Sequence, residues 1–228
     1  MSPGSPRTAR AAYGKTVSKV VVARLIRYRT ILRELAILGT RYVFSHELAA
    51  QAGVTAEQLR RDLMGIRYEG SPSRGYEVAG LEERLGAFLD PPTRQKVALV
   101  GVGNLGRALF AYLLGRRPLI EIVAAFDIEP SKINRVVSGC PSYHISQAAQ
   151  VVPSLGIDVA IIAVPAAAAQ AAADLLVEAG VRSFLNFADV PLRVAPDVFV
   201  EHIDIGVSLE KVAFFARRSP PSRALGQP

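Results

Sequence analysis

Lys96-Val97-Ala98-Leu99-Val100-Gly101-Val102-Gly103-Asn104-Leu105-Gly106 decides the fold, because an apolar run that reads as a buried strand ends directly in G-x-G-x-x-G and opens into a helix-like segment, Arg107 to Leu114. Gly101 permits a tight turn, Gly103 lets backbone approach a pyrophosphate, and Gly106 lets the new helix pack close to the sheet. The N-terminal amides and dipole of that helix then face phosphate. A second apolar run, Ile120 to Phe126, ends on Asp127, 26 positions after Gly101. The motif expects an acid about 20 residues on, accepting hydrogen bonds from ribose hydroxyls. A bare strand-to-helix turn would share only the glycines. Strand, helix, second strand and acid together specify a dinucleotide site built from Gly101, Val102, Gly103, Asn104, Leu105, Gly106 and Asp127.

Downstream, strands and helices keep alternating. Asp158 to Val164 is another buried run, Pro165 opens an Ala-rich helix ending at Gly180, and Val181 to Phe187 and Val198 to Ile205 follow as strands. Continuous apolar strands between helices predict a parallel sheet covered on both faces, with ligand at the carboxyl ends of the strands, near Tyr143, Val164 and Pro165. Leu209 to Arg218 puts Leu209, Val212, Ala213, Phe215 and Ala216 on a further helix. One Rossmann domain has no place for it, so a partner subunit is expected to receive it.

Upstream, residues 1–15 hold Pro3, Gly4, Pro6 and Gly14 among small polar residues and read as a mobile basic arm. Val21, Leu25, Tyr28, Leu32 and Leu35 recur at helical spacing, with Gly39 where a C-cap belongs and Arg24, Arg27 and Arg33 off the stripe, in solvent. Ser45 is placed to cap a second helix, His46 to Ala52. Thr55-Ala56-Glu57-Gln58 reads as a capping box opening a third, Thr55 to Leu63. This is helix-turn-helix spacing, with Leu48, Val54, Leu59 and Leu63 as its small core. Gln58, Arg60 and Arg61 then point outward from the helix that enters a major groove. From Gly65 to Tyr76, glycines, Pro72, Arg67 and Arg74 suggest a wing, and Leu81, Leu85, Phe88 and Leu89 a closing helix. Ser45, Thr55, Gln58, Arg60, Arg61, Arg67 and Arg74 are the candidate DNA contacts. Asp90-Pro91-Pro92-Thr93 marks the boundary, since prolines stop the helix and stiffen the join. The expected organisation is an arm (1–15), a winged helix (16–90), a Rossmann domain (91–207), an exchanged helix (208–218) and a disordered tail (219–228).

Composition supports this division. Of a net charge of +7, residues 1–62 carry eleven Lys or Arg against four Asp or Glu, so the rest of the 228-residue chain sums to zero. Basicity confined to the N-terminal part of the chain points to a polyanion, nucleic acid first. The longest apolar stretch, Val159 to Ala173, is broken by Pro165 and Gln170 and falls short of the ~18–20 residues that span a bilayer. The first residues lack the apolar core of a signal peptide. A single cysteine, Cys140, excludes an internal disulfide. Its neighbours Gly139 and Pro141 supply no cation to activate it, so a buried, inert thiol is expected. Nothing spaces Cys and His for zinc.

A basic winged helix followed by a dinucleotide domain resembles the Rex family of redox-sensing transcriptional repressors over about residues 20–218. The motifs are Gly-Val-Gly-Asn-Leu-Gly-Arg-Ala-Leu (101–109), Phe126-Asp127-Ile128-Glu129-Pro130, Pro141-Ser142-Tyr143-His144, Val164-Pro165-Ala166, Leu185-Asn186-Phe187-Ala188 and Glu201-His202-Ile203-Asp204. Gln58-Leu59-Arg60-Arg61-Asp62-Leu63 is similar to the family's recognition helix. The resemblance implies a cytoplasmic homodimer with NAD(H) as ligand, holding operator DNA when NADH is scarce and releasing it when NADH rises relative to NAD. It further implies that Tyr143 and Asp204 couple the nicotinamide pocket to domain orientation across the dimer, and that the last helix is exchanged. Three segments depart from the family: the wing (Met64 to Arg74), Tyr28-Arg29-Thr30 in the first helix, and Asp189 after Ala188.

The rival reading is an NAD-dependent oxidoreductase, with His144 or His202 as proton donor, or a protein binding coenzyme A beside a winged helix that reads nothing. No Tyr-x-x-x-Lys pair follows Tyr143, and everything after Lys96 is used by the nucleotide fold, which leaves no substrate domain.

Overall fold

The computed structural model describes residues 17–115, 118–137 and 139–218. The expected basic arm (1–15) and tail (219–228) lie outside the described residues. The chain divides into two compact units, Met1–Asp90 and Pro91–Pro228.

In the first unit, α1 (Lys19–Ile37) starts where the Ser18 hydroxyl accepts from the Val21 amide, and it buries Leu25, Tyr28, Ile31 and Leu32 along one stripe. Leu38 is its cap residue. Gly39, one residue later, takes the left-handed φ of +76° that ends the helix. β1 (Tyr42–Val43), α2 (Ser45–Ala52), α3 (Ala56–Gly65), β2 (Tyr76–Glu77) and α4 (Val78–Leu89) follow. β1 and β2 pair antiparallel, Tyr42 opposite Glu77 and Val43 opposite Tyr76. Leu48, Leu59, Leu63, Leu81 and Leu85 join the α1 stripe in one core, while Val54 is only half-buried.

Three local expectations change. Ser45 is the first residue of α2, not its cap: Phe44 holds that place, and the Glu47 carboxylate, rather than a serine hydroxyl, accepts from the Phe44 amide at 2.8 Å. The box at Thr55 is half made. The Thr55 hydroxyl accepts from the Gln58 amide at 3.1 Å, but the Gln58 side chain turns to Asp62 instead of back to the cap. Of the α1 arginines, Arg27 and Arg33 are exposed as expected, Arg27 donating to the Ala52 carbonyl and Arg33 pairing with Glu82, but Arg24 is drawn in from solvent and pairs with Asp62.

The second unit is a seven-stranded sheet in the order β5-β6-β4-β3-β7-β8-β9. Its strands are β3 (Gln95–Val100), β4 (Ile120–Asp127), β5 (Arg135–Val137), β6 (Cys140–His144), β7 (Val159–Ile162), β8 (Ser183–Asn186) and β9 (Phe199–His202). The helices are α5 (Asn104–Leu113), α6 (Ala148–Leu155), α7 (Ala166–Ala179) and α8 (Ile205–Arg218). Every pairing is parallel except β5 with β6, so the sheet is not wholly parallel: a short antiparallel ribbon forms its edge. Alternation along β3 splits its side chains between two cores. Ala98 and Val100 join Phe126, Ile162, Phe184 and Leu176, whereas Val97 and Leu99 join Phe110, Ala125 and Ile161. β9 is shorter than the predicted strand, because α8 already begins at Ile205, four residues before Leu209. The Asp204 carboxylate caps it, accepting from the Val207 amide at 2.7 Å.

Strand order reverses direction between β3 and β7. At such a switch point the loops leaving the carboxyl ends of the two strands diverge and leave a crevice. Gly101–Gly103 and Ala163–Pro165 are those loops here, tied to the sheet by Gly101 N to the Phe126 carbonyl and Ala163 N to the Val100 carbonyl, both at 2.8 Å.

Candidate functional site

The crevice holds a cavity of about 640 Å³, within the usual range for small-molecule sites. One wall is the glycine loop. Gly101 has φ +96°, and a Cβ there would lie 2.5 Å from the Ala163 carbonyl oxygen; a Cβ on Gly106 would lie 1.9 Å from the Gly101 oxygen. Protein backbone therefore dictates both residues. A Cβ on Gly103 would meet nothing within 4 Å, and Gly103 lines the cavity. The fit of the protein against itself therefore does not require glycine at this position. Gly103 also starts α5 without any side-chain cap, so the first amides of α5 remain available to an anion.

Asp127, at the end of β4, forms the polar end of the cavity with Glu129 and Lys132. Its Oδ2 accepts from the Val102 amide at 2.8 Å, and its Oδ1 from the Ile128 and Glu129 amides at 2.8 and 3.0 Å. Burial alone would push this carboxyl up, but the three amides and the nearby Lys132 ammonium outweigh it and hold Asp127 below the ordinary carboxylate value. It is an anion at neutral pH. Lys132 pairs with Glu129 and stands 4.0 Å from Asp127, leaving two carboxylates against one ammonium at this end.

The opposite wall is apolar. Val164 and Pro165 leave β7, and Ala168, Ala171, Ala172 and Leu175 form one face of α7 at i, i+3, i+4 and i+7. Small side chains make this face flat enough for a planar group to lie close. Sequence reading missed it, although the spacing of those alanines carries the signal once the helix start is known.

Of the predicted ligand residues, Gly101, Gly103, Asp127, Val164 and Pro165 line the cavity; Val102 holds Asp127; Asn104, Leu105 and Gly106 form the first turn of α5. Tyr143 is not in the lining: it sits in β6 with its ring 6.0 Å from that of Phe126. Asp204 is likewise outside the lining, at the start of α8. Neither histidine weighed as a proton donor lines the cavity. His144 bonds to Ser146, and His202 to Asn186. Asn186, fully buried, also donates to the Val190 carbonyl and accepts from the Ala188 amide, so it ties the end of β8 to its own loop and to β9. Cys140 is 2% exposed and burial pushes its thiol up to about 11, the chemistry of an inert side chain.

In the first unit, α3 offers Arg60 and Arg61 to solvent. Arg60 Nη1 donates to the Ser45 hydroxyl at 3.1 Å, which orients the guanidinium across the start of α2, and Arg61 pairs with Glu57 one turn back. Gln58 does not point outward: its amide donates to Asp62 at 2.8 Å. Thr55 caps α3, its hydroxyl oxygen accepting from the Gln58 amide while the hydroxyl hydrogen is not used in that bond. Arg67 belongs to the end of α3 rather than to the wing. It takes the left-handed conformation, φ +58°, and its amide closes the helix on the Met64 carbonyl. The wing narrows to a Ser71–Gly75 bridge, with Arg74 over the Tyr42 ring at 5.6 Å.

Asp62 is the residue that sequence reading placed no weight on. It is 5% exposed and takes four hydrogen bonds: two from Arg24 at 2.6 and 2.7 Å, one from the Tyr28 hydroxyl and one from Gln58, both at 2.8 Å. Burial would raise its carboxyl, but those bonds and the Arg24 charge prevail and hold it below the ordinary value. This network fixes the candidate recognition helix to α1.

Among the described residues no helix is long and apolar enough to cross a membrane, and no three His, Cys, Asp or Glu cluster as metal ligands.

Residues 93–190 match the family model described as "CoA binding domain", and residues 16–63 the one described as "Putative DNA-binding protein N-terminus". Over 204 residues the chain is 34% identical to the redox-sensing transcriptional repressor Rex of Listeria welshimeri, covering 90% of this chain and 95% of the relative. It is 38% identical over 199 residues to the protein of the same name from Chloroflexus aurantiacus, covering 87% and 94%. Among solved structures, RSP, a Rex-family repressor, in complex with β-NAD+ and operator DNA superposes with a TM-score of 0.82 at 30% identity, covering 90% of this chain and 94% of that one. RSP in complex with β-NADH gives 0.79 at 30% identity, covering 90% and 96%.

Proposed function

The chain belongs to the Rex family of redox-sensing transcriptional repressors, and we propose that it uses the cavity between the glycine loop and α7 to sense NADH against NAD and the α2–α3 pair with its wing to hold operator DNA. It is a DNA-binding regulator and not an enzyme. Operator is bound when NADH is low and released when NADH is high.

The observation that carries the ligand assignment is Gly103, bare at the uncapped start of α5, with the anionic Asp127 held beside the same loop by the Val102 amide. Amides at a helix N-terminus suit a pyrophosphate, and a carboxylate suits ribose hydroxyls. The residues present therefore fit NAD(H), with Gly101 to Gly106 taking the diphosphate, Asp127 the adenosine ribose and Val164, Pro165 and the alanine face of α7 the nicotinamide side. Tyr143 and Asp204 act from outside this lining. Two carboxylates against one ammonium repel a 2′-phosphate, so NADPH should bind at least about tenfold more weakly than NADH, about 1.4 kcal/mol. Calorimetry with both nucleotides checks this, and Asp127→Ala should weaken NADH while narrowing the gap. Coenzyme A, which the family model over residues 93–190 names, belongs in the same titration.

The DNA assignment rests on Arg60 and Arg61, exposed on α3 in the most basic part of the chain. A second copy is expected to cover α8, on which Ile205, Val207, Leu209, Val212 and Phe215 are all exposed. A homodimer follows from that reading, and a chain that holds operator DNA is placed by it in the cytoplasm.

The deciding experiment measures operator affinity with no nucleotide, with saturating NAD and with saturating NADH. Reciprocity requires that whatever factor NADH takes from DNA binding, DNA takes from NADH binding. Equal affinity in all three states overturns the sensor reading. Asp204→Ala uncaps α8 and should leave nucleotide and DNA binding each measurable while flattening the dependence of one on the other.

A further inference from the structure

Two guanidiniums in the DNA unit converge on one aromatic ring. The Cζ of Arg41 lies 5.4 Å and that of Arg74 5.6 Å from the centroid of Tyr42. The backbone brings them there. Tyr42 is fixed in β1 opposite Glu77, and the wing is closed by paired hydrogen bonds between Ser71 and Gly75, 2.7 and 2.8 Å. Gly75 holds φ +77° and presses so closely on β1 that a Cβ would lie 2.4 Å from the Val43 carbonyl oxygen. Arg74, its neighbour, is thereby delivered to the ring.

Charge is left over at this point. Arg41 reaches a carboxylate only at Glu77, 4.0 Å away with both side chains largely in water, and among the described residues Arg74 has no ion-pair partner. Each cation is attracted by the ring face, but the two repel each other. A shared anion relieves that repulsion, and planar guanidinium forks suit phosphate oxygens. Gly75, the neighbour of Arg74, shares a groove of about 330 Å³ with Ser71 and Pro72 of the wing and with Ser45 and Arg60, so the wing adjoins the recognition helix.

We propose that Arg41, Tyr42 and Arg74 form a clamp for the phosphate backbone of duplex DNA, in which the ring holds both guanidiniums and the wing supplies sequence-independent affinity while Arg60 reads sequence. This rests on the DNA-binding reading above. Tyr42 is a positioning residue; Arg41 and Arg74 touch the phosphates.

The test uses the full chain, a duplex that the wild-type protein selects from a randomised pool, and the same duplex scrambled, each titrated across a salt series. Arg41→Ala and Arg74→Ala should each weaken both duplexes by the same factor, about five- to tenfold at low salt, and lower the slope of log affinity against log salt by about one. Arg60→Ala should weaken the selected duplex more than the scrambled one. Tyr42→Leu, which keeps both charges, should also weaken both duplexes equally, and Tyr42→Phe should bind as the wild type does. The clamp is overturned if the arginine variants leave the salt slope unchanged, if they affect the selected duplex alone, or if Tyr42→Leu is silent. A wild-type chain that selects no duplex overturns the DNA reading and the clamp together; one that selects a duplex with normal slopes in every variant overturns the clamp only.

Discussion

Gly106→Ala should abolish measurable NADH binding. The added Cβ would stand 1.9 Å from the Gly101 carbonyl oxygen, and backbone, unlike a flexible side chain, cannot swing aside. Either α5 moves away from the loop or the loop moves away from β3. The loop is held by Gly101 N on the Phe126 carbonyl and by the Val102 amide on Asp127, so a shift at Gly101 disturbs the phosphate end and the ribose end together. Loss of two charge-assisted amide bonds, about 1.5–3 kcal/mol each, corresponds to at least about a hundredfold in affinity. Overpacking itself costs about 1–3 kcal/mol of stability in this unit. Isothermal titration with NADH reads the first effect and thermal unfolding the second. Operator binding without nucleotide should survive, because the first unit has its own core. Gly103→Ala separates fit from ligand contact: its Cβ meets no protein atom, so stability should hold while NADH affinity falls. If Gly106→Ala titrates like the wild type, the cavity at the start of α5 is not the nucleotide site.

How far the sequence was legible depends on how local each constraint is. The glycine loop could be read because its rules concern backbone alone: a left-handed φ at Gly101 and a close approach at Gly106 leave glycine as the single residue that fits. Asp127 could be read because it closes an apolar strand. The Asp62 network could not, since a charged residue on an amphipathic helix reads as solvated, and its arginine lies 38 positions away on α1. The same blindness put Gln58 outward, where the four-residue step to Asp62 turns it in. Ser45 was misread by one position. The pattern shows a hydroxyl before a helix, but Glu47 reaches back to the Phe44 amide and moves the start forward. At the other end of the chain Gly206 and Ser208 break the apolar run, so periodicity starts at Leu209, whereas Asp204 starts α8 through its carboxylate. Pairing across the sheet edge was equally hidden: β5 has three residues, too few for a period, and only its register against β6 makes it a strand.

Asp62→Ala should unfold the DNA unit, or come close to it, and leave the nucleotide unit intact. Removing the carboxylate strands the Arg24 guanidinium, the fully buried Tyr28 hydroxyl and the Gln58 amide at once. Breaking a buried pair from one side costs about 3–5 kcal/mol, a large part of the total stability of about 5–15 kcal/mol that an ordinary domain has. The melting transition of this unit should fall by more than about 10 °C, with operator binding lost and NADH titration unchanged. The cost is that of the uncompensated charge, so a double variant, Arg24→Met with Asp62→Met, should recover much of the stability that Asp62→Ala loses. Acid has a related effect. The folded carboxyl is held below its ordinary value of 3.8, so the unfolded chain takes up the proton first. Stability from this group is therefore complete above that value and drains away as pH falls through the lower, folded one. Asp62→Asn, which has no proton to take up, should flatten that part of the acid unfolding curve, as followed by circular dichroism. An acid limb as steep in Asp62→Asn as in the wild type would place the titrating group elsewhere, and an unshifted melting transition in Asp62→Ala would mean that α3 is held to α1 by its leucines alone.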